Sequence, residues 1–349
     1  MAVKLLVPKL ELLSKEYVLI QAWKKTASYI RRHNWFSDTL DLDRVALNLP
    51  NFIDQLRERL HSWEDWEPHP LRFIPAPKSQ NWKIADDKWV PDGSEIKLRP
   101  LAHVSLPDQV AATALMLCLA DRIETIQGDP SELIADQESR KRVISYGNRL
   151  FCYKEGVCLR HRWGSTKLYR KYFQDYRKFV SRPEFVVKQF LEEKNNKIYV
   201  VHADIKQFYD RVTPELLHAA ISRVRCEGDD PRFFDLLFSV LKWGWDSRDE
   251  DNIKMYAEQA KLKNSSQIVL PQGLVASGFF ANVVLLAVDE ELRDAIGTQI
   301  APNFLLVDIC RYVDDLRVVV ALDGQTEHSC DPEKVVSKGN YIGYLKYLR

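Results

Sequence analysis

The chain has 349 residues, 46% hydrophobic and 28% charged, a composition typical of a globular protein with one large or two smaller domains. Its 50 basic and 49 acidic residues leave a net charge of +1, which excludes a uniformly basic or acidic chain, so only local charge can indicate partners. The longest uncharged apolar runs, residues 110–120 and 278–288, are too short to span a bilayer, and the amino terminus has no signal-peptide pattern. We therefore expect a cytoplasmic protein without a membrane partner.

The first third of the chain changes from helical to extended patterns. Residues 9–31 and 38–63 carry apolar side chains at helical spacing, which predicts helices. Residues 68–100 are rich in prolines, β-formers and turn residues, which predicts strands. Ser105 and Asp108 are candidate caps of the helix that follows, which we expect to run to about residue 124.

Lys97 and Arg99 occupy alternate positions of the predicted strand before this helix. Alternate strand residues point to one face, where two cations could bind a triphosphate. The alternative is a solvated edge strand with protective charges.

A basic and aromatic segment occupies residues 140–197, where basic residues outnumber acidic ones by about three to one. Cations can neutralise phosphates while rings stack on bases, as a nucleic-acid groove requires. The rings also fall at helical spacing, so we expect them mostly to pack inward while the cations face a template or primer. The predicted nucleic-acid contacts here are Arg149, Arg170, Lys171, Arg177 and Lys178.

Two apolar, β-branched runs flank Asp314 and Asp315 and predict a β-hairpin with adjacent carboxylates at its tip. Adjacent carboxylates repel each other unless a divalent cation lies between them, which suggests a magnesium site. The alternative is an ordinary acidic surface turn.

Two further signals precede this hairpin. The β-rich run 198–203 ends at Asp204, and Pro271-Gln272-Gly273 predicts a tight turn before an apolar helix. In this order, the three signals resemble the palm of reverse transcriptases, and the resemblance covers about residues 95–320.

The resemblance implies an α+β right-hand polymerase with fingers, an antiparallel palm sheet with helices, an N-terminal helical region and a missing or incomplete thumb. The corresponding ranges are an N-terminal helical region at 1–67, fingers with the basic segment at 68–198, a palm at 199–325 and a truncated C-terminal segment at 326–349.

Catalysis in such a polymerase uses two Mg²⁺ ions, with Mn²⁺ as an alternative, held by carboxylates from separate strands. Asp204 and Asp314 are the expected bridging ligands. Asp315 is expected to support them, and Ile205 to contribute its backbone carbonyl.

The resemblance also implies substrate contacts. Tyr209 is expected beneath the sugar of an incoming deoxynucleotide, where it would exclude a 2′-hydroxyl, and Gln272 near a sugar or base edge. Arg99, with Lys97 second, is expected at the phosphates, and Tyr312 near the primer end.

Three segments resemble bacterial abortive-infection and defence-associated reverse transcriptases, which implies antiviral defence: Ser145-Tyr146-Gly147-Asn148-Arg149, the Pro-Gln-Gly helix with Ser277 and Asn282, and Tyr312-Val313-Asp314-Asp315. Ser277 and Asn282 are expected either to satisfy buried backbone groups or to contact substrate. The implied partners are an RNA template, a DNA or RNA primer and deoxynucleoside triphosphates. Since residues 326–349 are too few for a thumb, we expect a truncated piece of a longer protein, or a protein or non-coding RNA that completes it. The alternatives are an untemplated or protein-primed DNA polymerase and a catalytically idle RNA-binding module acting with a partner.

Overall fold

The computed structural model describes residues 6–34, 36–78, 82–92, 98–193, 197–262 and 267–322. Lys97 and the predicted C-terminal segment 326–349 lie outside these described residues.

Along the described chain, groups of helices are interspersed with groups of strands. The helices are α1 (Leu10–Leu13), α2 (Glu16–His33), α3 (Thr39–Leu47), α4 (Leu49–His61), α5 (Leu106–Gln127), α6 (Gln137–Arg142), α7 (Tyr172–Glu193), α8 (Phe208–Arg211), α9 (Pro214–Arg223), α10 (Pro231–Val240), α11 (Glu250–Ala260) and α12 (Ser277–Ala295). The strands are β1 (Arg72–Pro77), β2 (Trp82–Ala85), β3 (Lys88–Pro91), β4 (Leu98–His103), β5 (Cys152–Glu155), β6 (Cys158–His161), β7 (Lys197–Asp204), β8 (Trp243–Gly244), β9 (Gln267–Ile268), β10 (Gln299–Ala301), β11 (Phe304–Tyr312) and β12 (Asp315–Leu322).

The predicted N-terminal helices are confirmed as α1 to α4, and the predicted start of α5 is confirmed as well. The Ser105 hydroxyl accepts from the Asp108 amide (3.4 Å) and donates to the Asp108 carboxylate (2.6 Å), which satisfies a free amide of the first turn. None of the helices that the structure describes is long and apolar enough to cross a membrane.

Contacts divide the chain into two compact units. Among the described residues, the first unit comprises 6–9, 115–193, 197–229 and 278–322, and the second comprises 10–34, 36–78, 82–92, 98–114, 230–262 and 267–277. The prediction of a mixed fold with an antiparallel sheet is confirmed. Its division into fingers and palm, and the predicted domain boundaries, stay predictions.

The first unit is built on a four-stranded sheet of order β10-β11-β12-β7, in which all neighbours are antiparallel. Helix α7 packs on this sheet through Phe179, which is fully buried against Cys310. Arg182 of α7 makes a two-bond ion pair with Asp308 of β11, with both distances 2.7 Å. Because both side chains are buried, this pair anchors the helix to the sheet.

The second unit contains α1 to α4, the β1–β4 pair and helices α10 and α11. Asp249, just before α11, accepts hydrogen bonds from the Arg72 guanidinium (2.7 Å) and the Phe73 amide (2.9 Å). The Arg72 guanidinium lowers the pKa of the Asp249 carboxyl. This contact fixes β1 against the start of α11.

Candidate active site

The hairpin of β11 and β12 turns at Val313 and Asp314, between the paired residues Tyr312 and Asp315. The predicted hairpin is therefore confirmed. Val313 has a φ of +58°, a left-handed conformation that a β-branched residue rarely adopts. Such a conformation costs about 1–3 kcal/mol and persists only when its surroundings hold it in place.

Strand β7 brings Asp204 to this turn. Asp204 is the direct partner of Asp315 across β7 and β12, and opposed Cα atoms in such a pair are about 5 Å apart. The next amide, that of Ile205, donates to the Asp314 carbonyl (3.0 Å). The structure thus brings Asp204, Asp314 and Asp315 together at one edge of the sheet.

The three carboxylates differ in exposure. Asp204 is exposed, whereas Asp314 and Asp315 are half-buried. Burial, followed by the nearby charges of Asp204 and Asp315, raises the pKa of the Asp314 carboxyl. Ionising all three carboxylates at this end of the sheet therefore costs free energy, because the negative charges repel each other.

The donor chemistry at this edge fits a hard divalent cation. Three carboxylates and the backbone carbonyl of Ile205 supply only oxygen, which suits Mg²⁺ or Mn²⁺. Within the described ranges, no three His, Cys, Asp or Glu side chains already stand where they could hold a metal ion. The fit of a divalent cation to this site therefore rests on two properties: all of the available donors are oxygens, and the carboxylates repel each other when no cation is bound.

Arg311 lies directly behind the turn, with its side chain fully buried. Its guanidinium donates to Asp289 of α12 through Nε (2.5 Å) and Nη2 (2.7 Å). Its Nη1 donates to the Asn282 Oδ1 and to the Val313 carbonyl, both at 3.1 Å. A buried ion pair therefore connects α12 to the hairpin tip.

The loop before β5 closes the other side of the turn. The Tyr146 amide donates to the Arg311 carbonyl (3.0 Å), and the Arg311 amide donates to the Ile144 carbonyl (2.9 Å). A Cβ on Gly147 would lie 2.6 Å from the Val313 nitrogen, so only glycine fits here without displacing the turn.

Tyr209, the residue predicted beneath the nucleotide sugar, lies in α8. This helix begins directly after Gln207, which has a left-handed conformation (φ +54°). It is half-buried, and its ring contacts Phe208 edge to face at 5.4 Å. The Asn148 side-chain amide donates to its hydroxyl at 3.4 Å. The ring is therefore oriented by the loop that also contacts the hairpin.

The predicted nucleotide contacts Gln272 and Arg99 belong to the second unit. Gln272 is half-buried, and its carbonyl accepts from the Ala102 amide (2.8 Å). Gly273 has a φ of +150°, and a Cβ there would overlap the Ala102 carbonyl oxygen, so the predicted turn requires glycine. The Gln109 side chain, which sequence reasoning missed, donates to the Gly273 carbonyl (2.7 Å). Arg99 is exposed on β4.

Arg149 does not face a nucleic acid. Its side chain is fully buried and donates to the Glu124 carboxylate (2.9 Å), the Ser145 carbonyl (2.8 Å) and the Gly128 carbonyl. Because these bonds engage the guanidinium inside the unit, Arg149 cannot reach a phosphate. Its predicted nucleic-acid contact is replaced by a structural role.

The other four predicted cations fall into two pairs. Arg170 donates to Asp175 (2.9 Å), and the Lys178 ammonium donates to the Pro130 (2.8 Å) and Glu132 (2.9 Å) carbonyls. Burial and the nearby Arg170 charge lower the pKa of Lys178. The other pair, Lys171 and Arg177, is exposed.

The aromatic residues of α7 differ from the expected inward packing. Tyr172 is 70% exposed, Phe173 49% and Tyr176 41%, whereas Phe179 is fully buried. Tyr312, the predicted primer contact, packs edge to face on Tyr176 at 5.2 Å. The expectation was wrong because helical spacing separates two faces without saying which one the sheet covers.

At Asn282, the expectation of a side chain that satisfies buried backbone groups is confirmed by its bonds to the Gly147 and Asn148 carbonyls. The residues missed at this site are Arg311 and Asp289. One signal could have found them: an arginine inside an apolar strand requires a buried anion, and Asp289 interrupts the otherwise apolar centre of α12. Their separation along the chain hid the pairing.

Comparison with known proteins bears on residues 163–344. A family model described as reverse transcriptase (RNA-dependent DNA polymerase) matches this range, which is slightly more than half of the chain and includes all three carboxylates. A search of curated proteins found no match.

Proposed function

Because this chain belongs to the reverse transcriptase (RNA-dependent DNA polymerase) family, we propose that it synthesises DNA on an RNA template with Asp204, Asp314 and Asp315 as its catalytic carboxylates. The arrangement of strands β7 and β12 carries the proposal, because it pairs Asp204 with Asp315 and bonds the Ile205 amide to the Asp314 carbonyl. Nucleotidyl transfer requires carboxylates from separate strands at one place.

Asp204 and Asp314 are the proposed ligands of the two magnesium ions, with support from Asp315 and the Ile205 carbonyl. Bound divalent ions lower the pKa of the attacking primer hydroxyl and neutralise phosphate charge. The chain itself contributes a fixed turn and accumulated negative charge, which draws cations to the sheet edge.

The resemblance to the family implies the contacts with the nucleotide that we propose. Tyr209 excludes the ribose 2′-hydroxyl, Arg99 with Lys97 meets the phosphates, and Gln272 meets the sugar or base edge. The orientation of Tyr209 by Asn148 supports its part in this proposal.

Template and primer are proposed to bind along α7. Lys171 and Arg177 are exposed and suit phosphates, while the exposed rings of Tyr172 and Phe173 suit base stacking. Arg170 and Lys178 contribute less to phosphate binding, because their head groups are already bonded within the unit. Tyr312 supports the primer end from the hairpin.

We place the chain in the bacterial defence-associated lineage, with a role in antiviral defence. The segment Ser145-Tyr146-Gly147-Asn148-Arg149 supports this assignment. Expression of the parent chain, but not of its Asp314→Asn variant, should reduce phage plaque numbers on a sensitive bacterial host. Equal protection by both forms would contradict a role through DNA synthesis.

The proposed activity is tested by incorporation of labelled deoxynucleotides with Mg²⁺ and an annealed RNA template and DNA primer. Parent protein should extend the primer, and Asp314→Asn should reduce extension to background because it removes a metal ligand. Asp235→Asn, which removes an exposed carboxylate of α10, is the matched control and should extend like the parent. Equal extension by Asp314→Asn and the parent would reject the assignment of the carboxylates. Product that persists without template, with restricted base composition, would instead indicate an untemplated polymerase.

A further inference from the structure

A buried cluster behind the catalytic turn, here called the hairpin clamp, consists of Arg311, Asn282 and Asp289. The exposed fraction of the side chain is 0% for Arg311 and 4% for Asp289. A buried arginine is tolerated only when its donors are paired, and here they are directed to Asp289, Asn282 and the Val313 carbonyl. The pairing of the arginine therefore includes the turn itself.

Asn282 joins the clamp to the neighbouring loop. Its Oδ1 accepts from Arg311 Nη1 (3.1 Å) and from the Ser145 hydroxyl (3.2 Å). Its Nδ2 donates to the carbonyls of Gly147 (2.9 Å) and Asn148 (3.3 Å). One buried amide thus uses both of its ends to hold the two segments that enclose Val313.

The conformation of Val313 explains why such a cluster is needed. A left-handed valine relaxes unless its surroundings oppose relaxation. Here Arg311 donates to the Val313 carbonyl, and the backbone of Gly147 lies so close that an added Cβ would overlap the Val313 nitrogen and side chain. Relaxation of this turn would move Asp314, the next residue, away from Asp204 and Asp315.

We propose that Arg311, Asn282 and Asp289 are positioning residues, which hold the strained turn so that the Asp314 carboxylate meets its two neighbours without reorganisation. The inference rests on the proposed function. It assigns a task in cation binding and turnover to side chains that do not themselves reach substrate.

The structure offers a matched pair of variants. Arg311→Lys keeps a positive charge beside Asp289 but loses the planar fork that also reaches Asn282 and Val313. Arg182→Lys is the control, because Arg182 is equally buried, pairs with Asp308 of the same strand through two bonds and does not contact the turn. Any general cost of replacing a buried arginine appears in both variants.

Mn²⁺ affinity, measured by electron paramagnetic resonance of the free ion, is the first readout, and primer extension is the second. For Arg311→Lys we expect the Mn²⁺ Kd to rise by about tenfold and kcat to fall by about 10- to 100-fold, with an unchanged KM for deoxynucleotide. Arg182→Lys should lower the Tm by a similar amount but leave Mn²⁺ Kd and kcat within about twofold of the parent. Equal losses of Mn²⁺ affinity in both variants would overturn the proposal.

Val313→Gly keeps the test valid if both lysine variants fold poorly. Glycine adopts a positive φ without strain, so the variant should keep or raise the Tm while the freed turn weakens Mn²⁺ binding and lowers kcat. If Val313→Gly kept the Mn²⁺ Kd and the kcat of the parent, the proposed positioning role of the hairpin clamp would be overturned. If the parent binds Mn²⁺ but does not extend primers, the proposed function fails. The Mn²⁺ Kd of the variants then still tests the positioning role of the hairpin clamp. If the parent binds no Mn²⁺, both proposals are overturned.

Discussion

At the residue scale, stability and the proposed activity oppose each other at Asp314. Burial and the charges of Asp204 and Asp315 raise its pKa in the folded chain. A carboxyl with a raised folded pKa contributes stability below its unfolded pKa and loses that contribution as pH rises through the folded pKa. At neutral pH, the ionised Asp314 therefore destabilises the folded state, and a bound cation would remove this cost.

We accordingly expect Asp314→Asn to raise the Tm of the cation-free protein by about 1–3 °C at neutral pH. The same substitution should abolish the further rise that Mg²⁺ causes in the parent. Differential scanning fluorimetry in chelator and in Mg²⁺ measures both effects, with Asp235→Asn as the control. In acid, where Asp314 is protonated, parent and variant should melt together. A lower Tm for Asp314→Asn in chelator would show that its carboxylate stabilises the turn.

At the scale of elements, the loop from Ser145 to Asn148 joins the hairpin that carries the proposed catalytic carboxylates to α8. Asn282 binds the Gly147 and Asn148 carbonyls, and Asn148 in turn bonds the Tyr209 hydroxyl. The start of α12 also packs closely against this loop, since a Cβ on Gly278 would lie 2.7 Å from the Asn148 side chain. The proposed sugar contact and the proposed catalytic turn are therefore held by the same loop.

Asn148→Gly should lower the preference for deoxynucleotides over ribonucleotides by about 2- to 10-fold, the worth of one hydrogen bond. Glycine accepts the φ of +53° at this position, so the backbone is not strained by the change. The ratio of kcat/KM for the two sugars measures the effect. Asn303→Gly, at another asparagine with a positive φ (+65°), is the control. An unchanged ratio in Asn148→Gly would show that Tyr209 is oriented without this bond.

At the scale of the whole molecule, periodic patterns predicted the parts that depend on local sequence. Apolar, β-rich runs identified the hairpin and the strand ending at Asp204, and the Pro-Gln-Gly turn identified the helix after Gly273, because each pattern is complete within its own segment. They failed for Arg149, since nothing local separates an arginine that meets Glu124 from one that meets phosphate. The pairing of Arg311 with Asp289 was hidden for the same reason.

Charge on the whole molecule also limits how nucleic acid can be held. With 50 basic and 49 acidic residues, the chain offers no general attraction for phosphates, so affinity must come from local clusters. On α7 and the two residues before it, Lys171 and Arg177 are exposed, whereas Arg170 and Lys178 are bonded within the unit. The two pairs carry equal charge and differ in what holds them.

Replacing Lys171 and Arg177 by glutamine should reduce the salt dependence of RNA binding. Each cation that meets a phosphate contributes about 0.7–0.9 to the slope of log K against log salt, so the slope should fall by about 1.5. Fluorescence anisotropy of a labelled RNA template over a salt series measures it. Arg170→Gln with Lys178→Gln removes the same charge but should lower the Tm and leave most of the slope, because those head groups bond the protein itself. If the second pair changed the slope more than the first, the nucleic acid would approach the chain from another face.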